Sequence, residues 1–254
     1  MPLQRWTRLA VAAGFSLAVL GSFTPAQAEE KPAAGDPRVE RIVKAALQHI
    51  AAAAGITFEA RIVNEVPLDS GQKVQNISTL KGFVRRPDRF TAIRKGDNAG
   101  TMYYDGKQYA LWKAKENVYA VWDAPATLDA LFDTMPEKLG FAPPLMTLMR
   151  SDSGSGARQD QVLAAEYVGL TEIDGADCHH VAFATKDVDV QFWIAEGIPV
   201  IKRIVVTYKK IPYVPQYTAT FLNWDFNAQL EDYVFSFIPP PDASRIEFVK
   251  RQNP

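Results

Sequence analysis

The 254-residue chain has 28 Lys+Arg and 29 Asp+Glu, and 47% of its residues are hydrophobic. The basic residues are scattered along the chain and form no patch or stripe, which argues against a nucleic-acid binder. Because Cys178 is the only cysteine, an intramolecular disulfide is excluded and burial of apolar side chains must stabilise the fold.

The first 28 residues have the pattern of a cleaved secretion signal. Arg5 and Arg8 precede an apolar stretch at residues 9–20, and Ala26-Gln27-Ala28 matches a small-residue cleavage site. The apolar stretch is shorter than the roughly 20 residues that span a bilayer, although an uncleaved anchor is the alternative. We therefore expect cleavage after Ala28, a periplasmic protein, and no integral membrane segment after cleavage.

A linker at residues 29–36 leads into a predicted helix that starts a single domain at residues 37–254. Asp36 is a suitable N-cap, Pro37 a suitable first residue, and Gly55 a suitable C-terminal stop. Apolar residues recur at helical spacing, so one face is expected to pack on a sheet. They are Val39, Ile42, Val43, Ala46, Leu47 and Ile50.

From Thr57 onward the apolar period changes to two, which predicts about eleven strands. Asp105-Gly106, Asp174-Gly175 and Glu196-Gly197 are hairpin signals; at the first we expect Tyr104 opposite Lys107. Short connections favour an antiparallel meander, and a sheet of this size curls. The predicted strands lie near 57–66, 72–84, 89–95, 101–104, 107–114, 118–122, 167–173, 176–184, 188–195, 198–209, 217–226 and 233–238.

A helical insert at residues 127–165 interrupts the strands. Its first helix has one apolar side, its second begins at Pro143-Pro144, residues 151–156 are a flexible loop, and a third helical stretch carries Val162 and Leu163. The predicted fold class is thus α+β: a strongly curved antiparallel sheet, an unclosed half-barrel, covered by the N-terminal helix and a central helical lid. The apolar side chains of the lid include Leu131, Phe132, Met135, Leu148 and Met149.

These lid residues and a set of aromatic residues are the candidate ligand-binding residues. Methionine and leucine on short helices can repack around an apolar guest, and they can equally form ordinary core. The same two interpretations apply to large rings on strands. The ring candidates are Trp112, Trp122, Phe192, Phe221 and Trp224.

Arg203 is the one charged candidate. If the Glu196-Gly197 turn sets the register, Arg203 projects from the face that carries Phe192 and Val205. A buried guanidinium requires a partner, so Arg203 would hold the lid or meet the polar end of a ligand. An edge residue whose charged end reaches water is the alternative.

No catalytic or metal-binding motif is recognisable. On a strand, Cys178 and His180 point away from Asp177 and His179, so the four cannot converge on one atom. The spacing of the three histidines and the cysteine fits no zinc or iron site, and no phosphate-binding glycine loop or nucleophile elbow is present. We expect no enzyme, no metal and no cofactor, with His179 as a hydrogen-bonded core residue.

Several segments of the chain occur in an order that is typical of one protein family. They are YYDGK from Tyr103, TLD from Thr127, YVG from Tyr167, DGADCHHVAF from Asp174, VDVQFWI from Val188 and PQY from Pro215. Over residues 37–249 the chain resembles this family of predicted periplasmic proteins, which is designated only as a domain of unknown function. That family in turn resembles in fold the lipoprotein carrier LolA, its receptor LolB and the sensor RseB. The resemblance implies an unclosed β-barrel whose helix-covered cavity accommodates acyl chains.

Together these features predict a periplasmic, non-catalytic binding protein. The expected ligand is a hydrophobic small molecule, a lipid or an acylated protein, held on the concave face of the sheet under the lid. The alternative is a cell-envelope protein-interaction or sensing module with a filled core, and an uncharacterised enzyme comes third. A continuous apolar cavity favours the first function, and a solid core with an exposed apolar patch favours the second.

Overall fold

A computed structural model describes residues 36–139, 144–151 and 162–247, all within one compact unit, Pro32–Pro254. The predicted signal, its cleavage site and residues 29–35 of the linker lie outside these residues. The helices are α1 (Pro37–Ala52), α2 (Leu128–Leu139) and 3₁₀ helices at Pro144–Met149 and Asp232–Phe235. The strands are β1 (Gly55–Pro67), β2 (Lys73–Arg85), β3 (Arg89–Gly96), β4 (Gly100–Tyr104), β5 (Gln108–Lys113), β6 (Val118–Asp123), β7 (Val162–Ile173), β8 (Ala176–Thr185), β9 (Val188–Ala195), β10 (Ile201–Tyr208), β11 (Gln216–Asp225) and β12 (Ser244–Arg245).

Within the described ranges, twelve strands form one open sheet in the order β12-β6-β5-β4-β3-β2-β1-β11-β10-β9-β8-β7. Neighbouring strands are antiparallel except β12, which lies parallel to β6. Two meanders, β1–β6 and β7–β11, meet where β1 pairs with β11. The predicted fold class, an unclosed antiparallel half-barrel with helices, is confirmed. No helix in the described part of the chain is both long and apolar enough to cross a membrane.

The sheet has an inner face that contacts α1, α2 and the first 3₁₀ helix, and an opposite outer face. Period-two alternation places apolar side chains of β1–β5 and β9–β11 on the inner face, where they form one core with the helices. The buried strand residues of this core are Ile56, Phe58, Ala60, Ile62, Leu80, Val84, Phe90, Ala92, Tyr104, Tyr109, Ile194, Ile201, Ile204, Val206, Tyr217, Ala219 and Phe221.

Helix α1 starts as the sequence predicts, and it ends three residues before the predicted stop. The Asp36 carboxylate accepts a hydrogen bond from the Arg38 backbone N–H at 2.9 Å, and Pro37 occupies the first turn. The helix ends at Ala52, and Gly55 already belongs to β1. A Cβ on Gly55 would lie 2.1 Å from the carbonyl oxygen of Ala228, so this glycine permits a close backbone approach instead of terminating the helix.

The hairpin between β7 and β8 has the predicted turn chemistry. Asp174 and Gly175 both have positive φ, 49° and 75°. Ile173 pairs with Ala176, so the two-residue turn is confirmed.

The hairpin between β4 and β5 has a longer loop than predicted. Tyr104 pairs with Tyr109 and not with Lys107. The Asp105 carboxylate accepts hydrogen bonds from the backbone N–H groups of Lys107 and Gln108, at 2.9 and 2.7 Å. These bonds close a wider turn than the Asp-Gly dipeptide alone indicates.

The insert is shorter than predicted. Residues 162–165 belong to β7, which pairs with β8 from Val162 onward, so the third helical stretch is wrong. Pairing along a twelve-residue strand outweighs the local apolar spacing that suggested a helix. Residues 140–143 and 152–161, including most of the predicted flexible loop, lie outside the described residues.

The predicted strand at 233–238 is also wrong. Asp232–Phe235 is a 3₁₀ helix in a segment, residues 226–247, that we call the C-terminal strap. Phe235 and Phe237 of this strap both point onto the outer face of the sheet. Their period-two spacing is also typical of a strand, which explains the wrong prediction. The Thr91 hydroxyl donates to the Val234 carbonyl at 2.8 Å, and Phe237 packs beside Tyr103 with ring centroids 5.4 Å apart.

Gly82 provides a test of inner-face packing. A Cβ at this position would lie 2.1 Å from the buried Phe58 ring, so Gly82→Ala should destabilise the fold by about 1–3 kcal/mol through overpacking. Urea unfolding with an unchanged m-value measures the effect. In a Phe58→Leu background, Gly82→Ala should lower the free energy of unfolding by a smaller amount. An equal decrease in both backgrounds would show that the Phe58 ring is not the cause.

Glu65, near the C-terminal end of strand β1, provides a pH-dependent test. Its carboxylate accepts from the Lys73 ammonium at 2.8 Å and from the Gln216 backbone N–H at 2.9 Å, and these bonds lower the pKa of Glu65. A carboxylate whose pKa is lower in the folded state than in the unfolded state stabilises the fold at pH values above its unfolded-state pKa. This stabilisation is lost as the pH falls through the folded-state pKa.

Glu65→Gln should therefore reduce the free energy of unfolding by about 0.5–1 kcal/mol at pH 7, with a gap to wild type that narrows below about pH 4. Urea midpoints across this pH range check it. Glu116→Gln, at an exposed loop position, is the matched control and should show no such pH-dependent gap. A gap for Glu65→Gln that is independent of pH would rule out this role of the carboxylate.

Candidate functional site

The predicted lid residues lie together and are buried in the core. The α2 side chains Leu131 and Met135 are 0% and 1% exposed, and Phe132 packs edge-on to Phe90 at 6.3 Å between ring centroids. Leu148 and Met149, from the first 3₁₀ helix, are 6% and 1% exposed. On this side of the inner face the helices are therefore part of a filled core.

Arg86, which the sequence analysis did not single out, fixes the first 3₁₀ helix. Its guanidinium donates to the Met149 carbonyl at 2.7 Å and to the Ile50 carbonyl, at the end of α1, at 3.4 Å. Burial lowers the pKa of Arg86, and the nearby Asp129 carboxylate partly opposes this. Arg86 thus connects the two helical elements through backbone carbonyls, a role that no local sequence pattern indicates.

Four of the five ring candidates lie on the inner face. Trp122 stacks on Tyr109 at 4.2 Å, and Phe221 stacks on Trp224 at 4.5 Å between ring centroids. The Trp224 indole donates to the Ile201 carbonyl at 2.9 Å. Phe192 is partly buried and packs against the same core.

Trp112 lies apart from the other rings, on the outer face. Because Thr101 pairs with Trp112 and Tyr104 with Tyr109, Trp112 alternates away from the core. It lies 6.2 Å, between ring centroids, from Phe237 of the C-terminal strap. The prediction that Trp112 shares a pocket with the other rings is wrong, since the sequence does not reveal that the strap covers this face.

Arg203 also lies on the outer face, contrary to the predicted register. Ile201 pairs with Ile194, but a bulge follows, and Arg203 pairs with Trp193. The extra residue of a bulge inverts the side-chain alternation beyond it. Ile204 and Val206 therefore face the core with Phe192, whereas Arg203 and Val205 do not.

A different site is present on the inner face, under the N-terminal half of α1. An open cleft of about 450 Å³ separates α1 from strands β7–β9 and the loop after β9. Its wall combines aliphatic and charged groups, so it differs from the filled side of the core. The lining residues are Arg38, Arg41, Ile42, Ala45, Tyr167, His179, Ile194, Ala195, Gly197 and Pro199.

The polar groups of the cleft are ordered by mutual contacts. The Arg38 guanidinium lies 4.4 Å from the centroid of the Tyr167 ring, and the Tyr167 hydroxyl is hydrogen-bonded to His179 Nδ1 at 3.1 Å. Arg38 also forms an ion pair with Asp36 at 2.6 Å, which lowers the pKa of Asp36. Arg41 has no ion pair among the described residues, so this exposed charge remains available at the mouth of the cleft.

The sequence analysis missed Arg38, Arg41 and Tyr167 as site residues. Arg38, Arg41, Ile42 and Ala45 follow one another at helical spacing, so a helix face with two cations beside aliphatic residues was the available signal. The sequence could not show which strands this face would meet. His179 was expected as a hydrogen-bonded core residue; it has the hydrogen bond, and it lies half-buried in the cleft wall.

The side chains of Asp177–His180 point alternately to the two faces of β8, as expected for a strand. His179 faces the cleft, whereas His180 stacks on Trp193 on the outer face, with ring centroids 4.1 Å apart. The Cys178 thiol is buried, and burial raises its pKa. In the described ranges no group of three or more His, Cys, Asp or Glu side chains could hold a metal ion. The cleft thus combines aliphatic surface with the exposed Arg41 and with Arg38, whose charge is paired with Asp36.

Comparison with known structures finds similar chain paths at low sequence identity. An uncharacterized conserved protein from Thermus thermophilus is 8% identical with a TM-score of 0.48, covering 83% of this chain and 99% of that one. A chain of the Pseudomonas aeruginosa MucA/MucB complex is 10% identical with a TM-score of 0.45, covering 79% of this chain and 61% of that one. A LolA superfamily protein from Nitrosomonas europaea is 8% identical with a TM-score of 0.37, covering 78% and 97%.

A search of curated proteins found no significant match. A family model described as "Predicted periplasmic protein (DUF2092)" matches residues 39–249, which include every strand of the sheet and most of α1. The chain therefore belongs to this family of predicted periplasmic proteins.

Proposed function

We propose that this protein is a periplasmic, non-catalytic binding protein that holds a hydrophobic or lipidated ligand in the cleft under α1. The observation that carries the proposal is the cleft itself, because it joins aliphatic surface to two arginines on the inner face of the sheet. Its volume, about 450 Å³, lies in the range of small-molecule sites. Secretion and cleavage after Ala28 are part of the proposal.

An apolar chain would lie along Ile42 and Ala45, above the buried Ile194, and its burial contributes about 0.8 kcal/mol per methylene. The polar end would face Arg41, whose charge is not offset by an ion pair in the described residues, and Arg38 beside it. The hydrogen-bonded Tyr167–His179 pair presents polar groups to the same end. Binding and release then require adjustment of α1, without any chemical step.

In this proposal the lid residues support the site instead of forming it. Leu131, Met135 and Met149 are almost fully buried, so a ligand under α2 would have to displace well-packed side chains at a cost of several kcal/mol. The ring candidates Trp122, Phe221 and Trp224 fill the centre of the same core. Phe192 belongs to β9, which also contributes Ile194 to the cleft wall, and is the predicted candidate that we retain beside the ligand.

Ala45→Trp tests the cleft. The indole would occupy space next to Ile42, so the affinity for a fluorescent hydrophobe or a fatty acid should fall about tenfold or more. Ala52→Trp is the matched control, because Ala52 is an exposed alanine of α1 outside the cleft lining, and it should bind like wild type. Displacement titration and native mass spectrometry measure occupancy.

Two outcomes would decide against this function. Equal binding by Ala45→Trp and wild type, with both folded, would place the ligand elsewhere. A wild-type protein that purifies without any lipid and takes up no apolar probe would exclude the carrier function altogether.

The second candidate function is a cell-envelope interaction module, and a specific observation favours it. Strand β7 is an edge of the sheet, and its Leu163, Val168 and Leu170 side chains are 59%, 57% and 55% exposed. A long exposed edge with apolar side chains is suited to pairing with an extended segment of another protein. Leu170→Lys should then weaken capture of a specific periplasmic partner without changing uptake of apolar probes, whereas loss of probe uptake would argue against this separation.

A further inference from the structure

A row of side chains crosses the outer face of the sheet at the level of Arg203. Strand register places Trp193 beside Arg203, Arg203 beside Thr220, and Thr220 beside Arg61. His180 pairs with Trp193 and continues the row onto β8. Two arginines therefore flank one hydroxyl on three adjacent strands, about 4.8 Å apart from strand to strand.

Stacked rings hold one end of this row in place. The Arg203 guanidinium lies 5.4 Å from the centroid of the Trp193 ring, and Trp193 stacks on His180 at 4.1 Å with an interplanar angle of 13°. His180 Nε2 is hydrogen-bonded to Gln191 Oε1 at 3.0 Å, which fixes the outermost ring. Because an aromatic face attracts a guanidinium, this stack orders Arg203 before any ligand arrives.

The cations of the row lack acidic partners. In the described part of the chain, neither Arg203 nor Arg61 forms an ion pair. Glu59 lies on the same face of β1 as Arg61, but its carboxylate pairs with Lys81 at 3.3 Å. Arg203 is partly buried, whereas Arg61 is exposed. A partly buried guanidinium without a carboxylate partner is unusual, since charged groups removed from water are normally paired.

One hydrogen-bond donor of Arg203 is buried without a partner. Its Nε has no hydrogen-bond acceptor among the described residues. An anion at the Nη atoms would offset the cost of partly burying this charge. The planar fork of arginine binds phosphate oxygens in this way, through two parallel N–H donors.

We infer that Arg203, Thr220 and Arg61 form a binding site for a phosphate group on the outer face, separate from the cleft under α1. The two arginine Cα atoms lie roughly 10 Å apart, so both side chains can reach one phosphate above Thr220. The Thr220 hydroxyl donates a third hydrogen bond. The phosphate is either free in solution or part of a lipid headgroup, since both present the same oxygens.

The experiment measures binding of the full-length mature protein to inorganic phosphate, by calorimetry and by intrinsic tryptophan fluorescence, and to vesicles of phosphatidylglycerol or phosphatidylcholine. Arg203→Gln and Arg61→Gln should each weaken phosphate binding about tenfold, and higher salt should weaken it further. Lys186→Gln is the matched control, because it removes one exposed cation from the β8–β9 turn and should leave binding unchanged.

Arg203→Lys tests whether Arg203 has only a structural role. It keeps the charge and the packing stem, so the urea midpoint should stay near wild type while phosphate binding falls through loss of the planar fork. Saturable binding of inorganic phosphate supports free phosphate as the ligand. Binding confined to phosphatidylglycerol vesicles, and lost in both Gln variants, supports a headgroup.

The inference is overturned if the wild type binds neither probe, or if both Gln variants bind like Lys186→Gln. These outcomes are independent of the cleft, since Ala45→Trp should bind phosphate normally. A failure of one proposal therefore leaves the other untouched.

Discussion

The antiparallel pairing of β1 with β11 is the interaction on which the rest of the structure depends. It joins the meander β1–β6 to the meander β7–β11 and makes one continuous sheet from two halves of the chain. Each half alone would expose one apolar face, whereas together they enclose Phe58, Phe221 and Trp224 in a stack of rings at the seam. Helix α1, which immediately precedes β1, packs against the same inner face and covers β7 and β9. The cleft exists only because this seam brings the start of the chain to the strands of the second half.

Alternation and turn chemistry were sufficient to predict the sheet. Ten strands lie within about three residues of their predicted places, and β7 starts five residues before its predicted place. The Asp174-Gly175 turn has the conformation that its two residues favour. These signals are local, so tertiary contacts did not override them. Where a long-range contact decides the conformation, prediction failed: Gly55 serves a close approach to Ala228, and Phe235 and Phe237 alternate because they cover another strand pair.

The site was less predictable than the fold, for a physical reason that Arg203 illustrates. A bulge adds one residue to a strand, and no residue type in β10 marks where it occurs. The single extra residue moves a side chain from one face to the other, so an error of one position changes a cavity candidate into a residue of the outer face. The lid residues were correctly recognised as apolar and helical. Their composition does not distinguish helices that cover a void from helices that complete a core, and burial is what separates the two.

The two ends of the sheet differ in how far their edges are covered. At one end the C-terminal strap places β12 alongside β6, with Ser244 and Arg245 paired to Val118 and Tyr119. At the other end β7 has no neighbour in the described residues. An unpaired edge presents a row of backbone N–H and C=O groups to any extended chain. Because β12 has two residues and β7 has twelve, the longer free row of backbone groups among the described strands lies along β7.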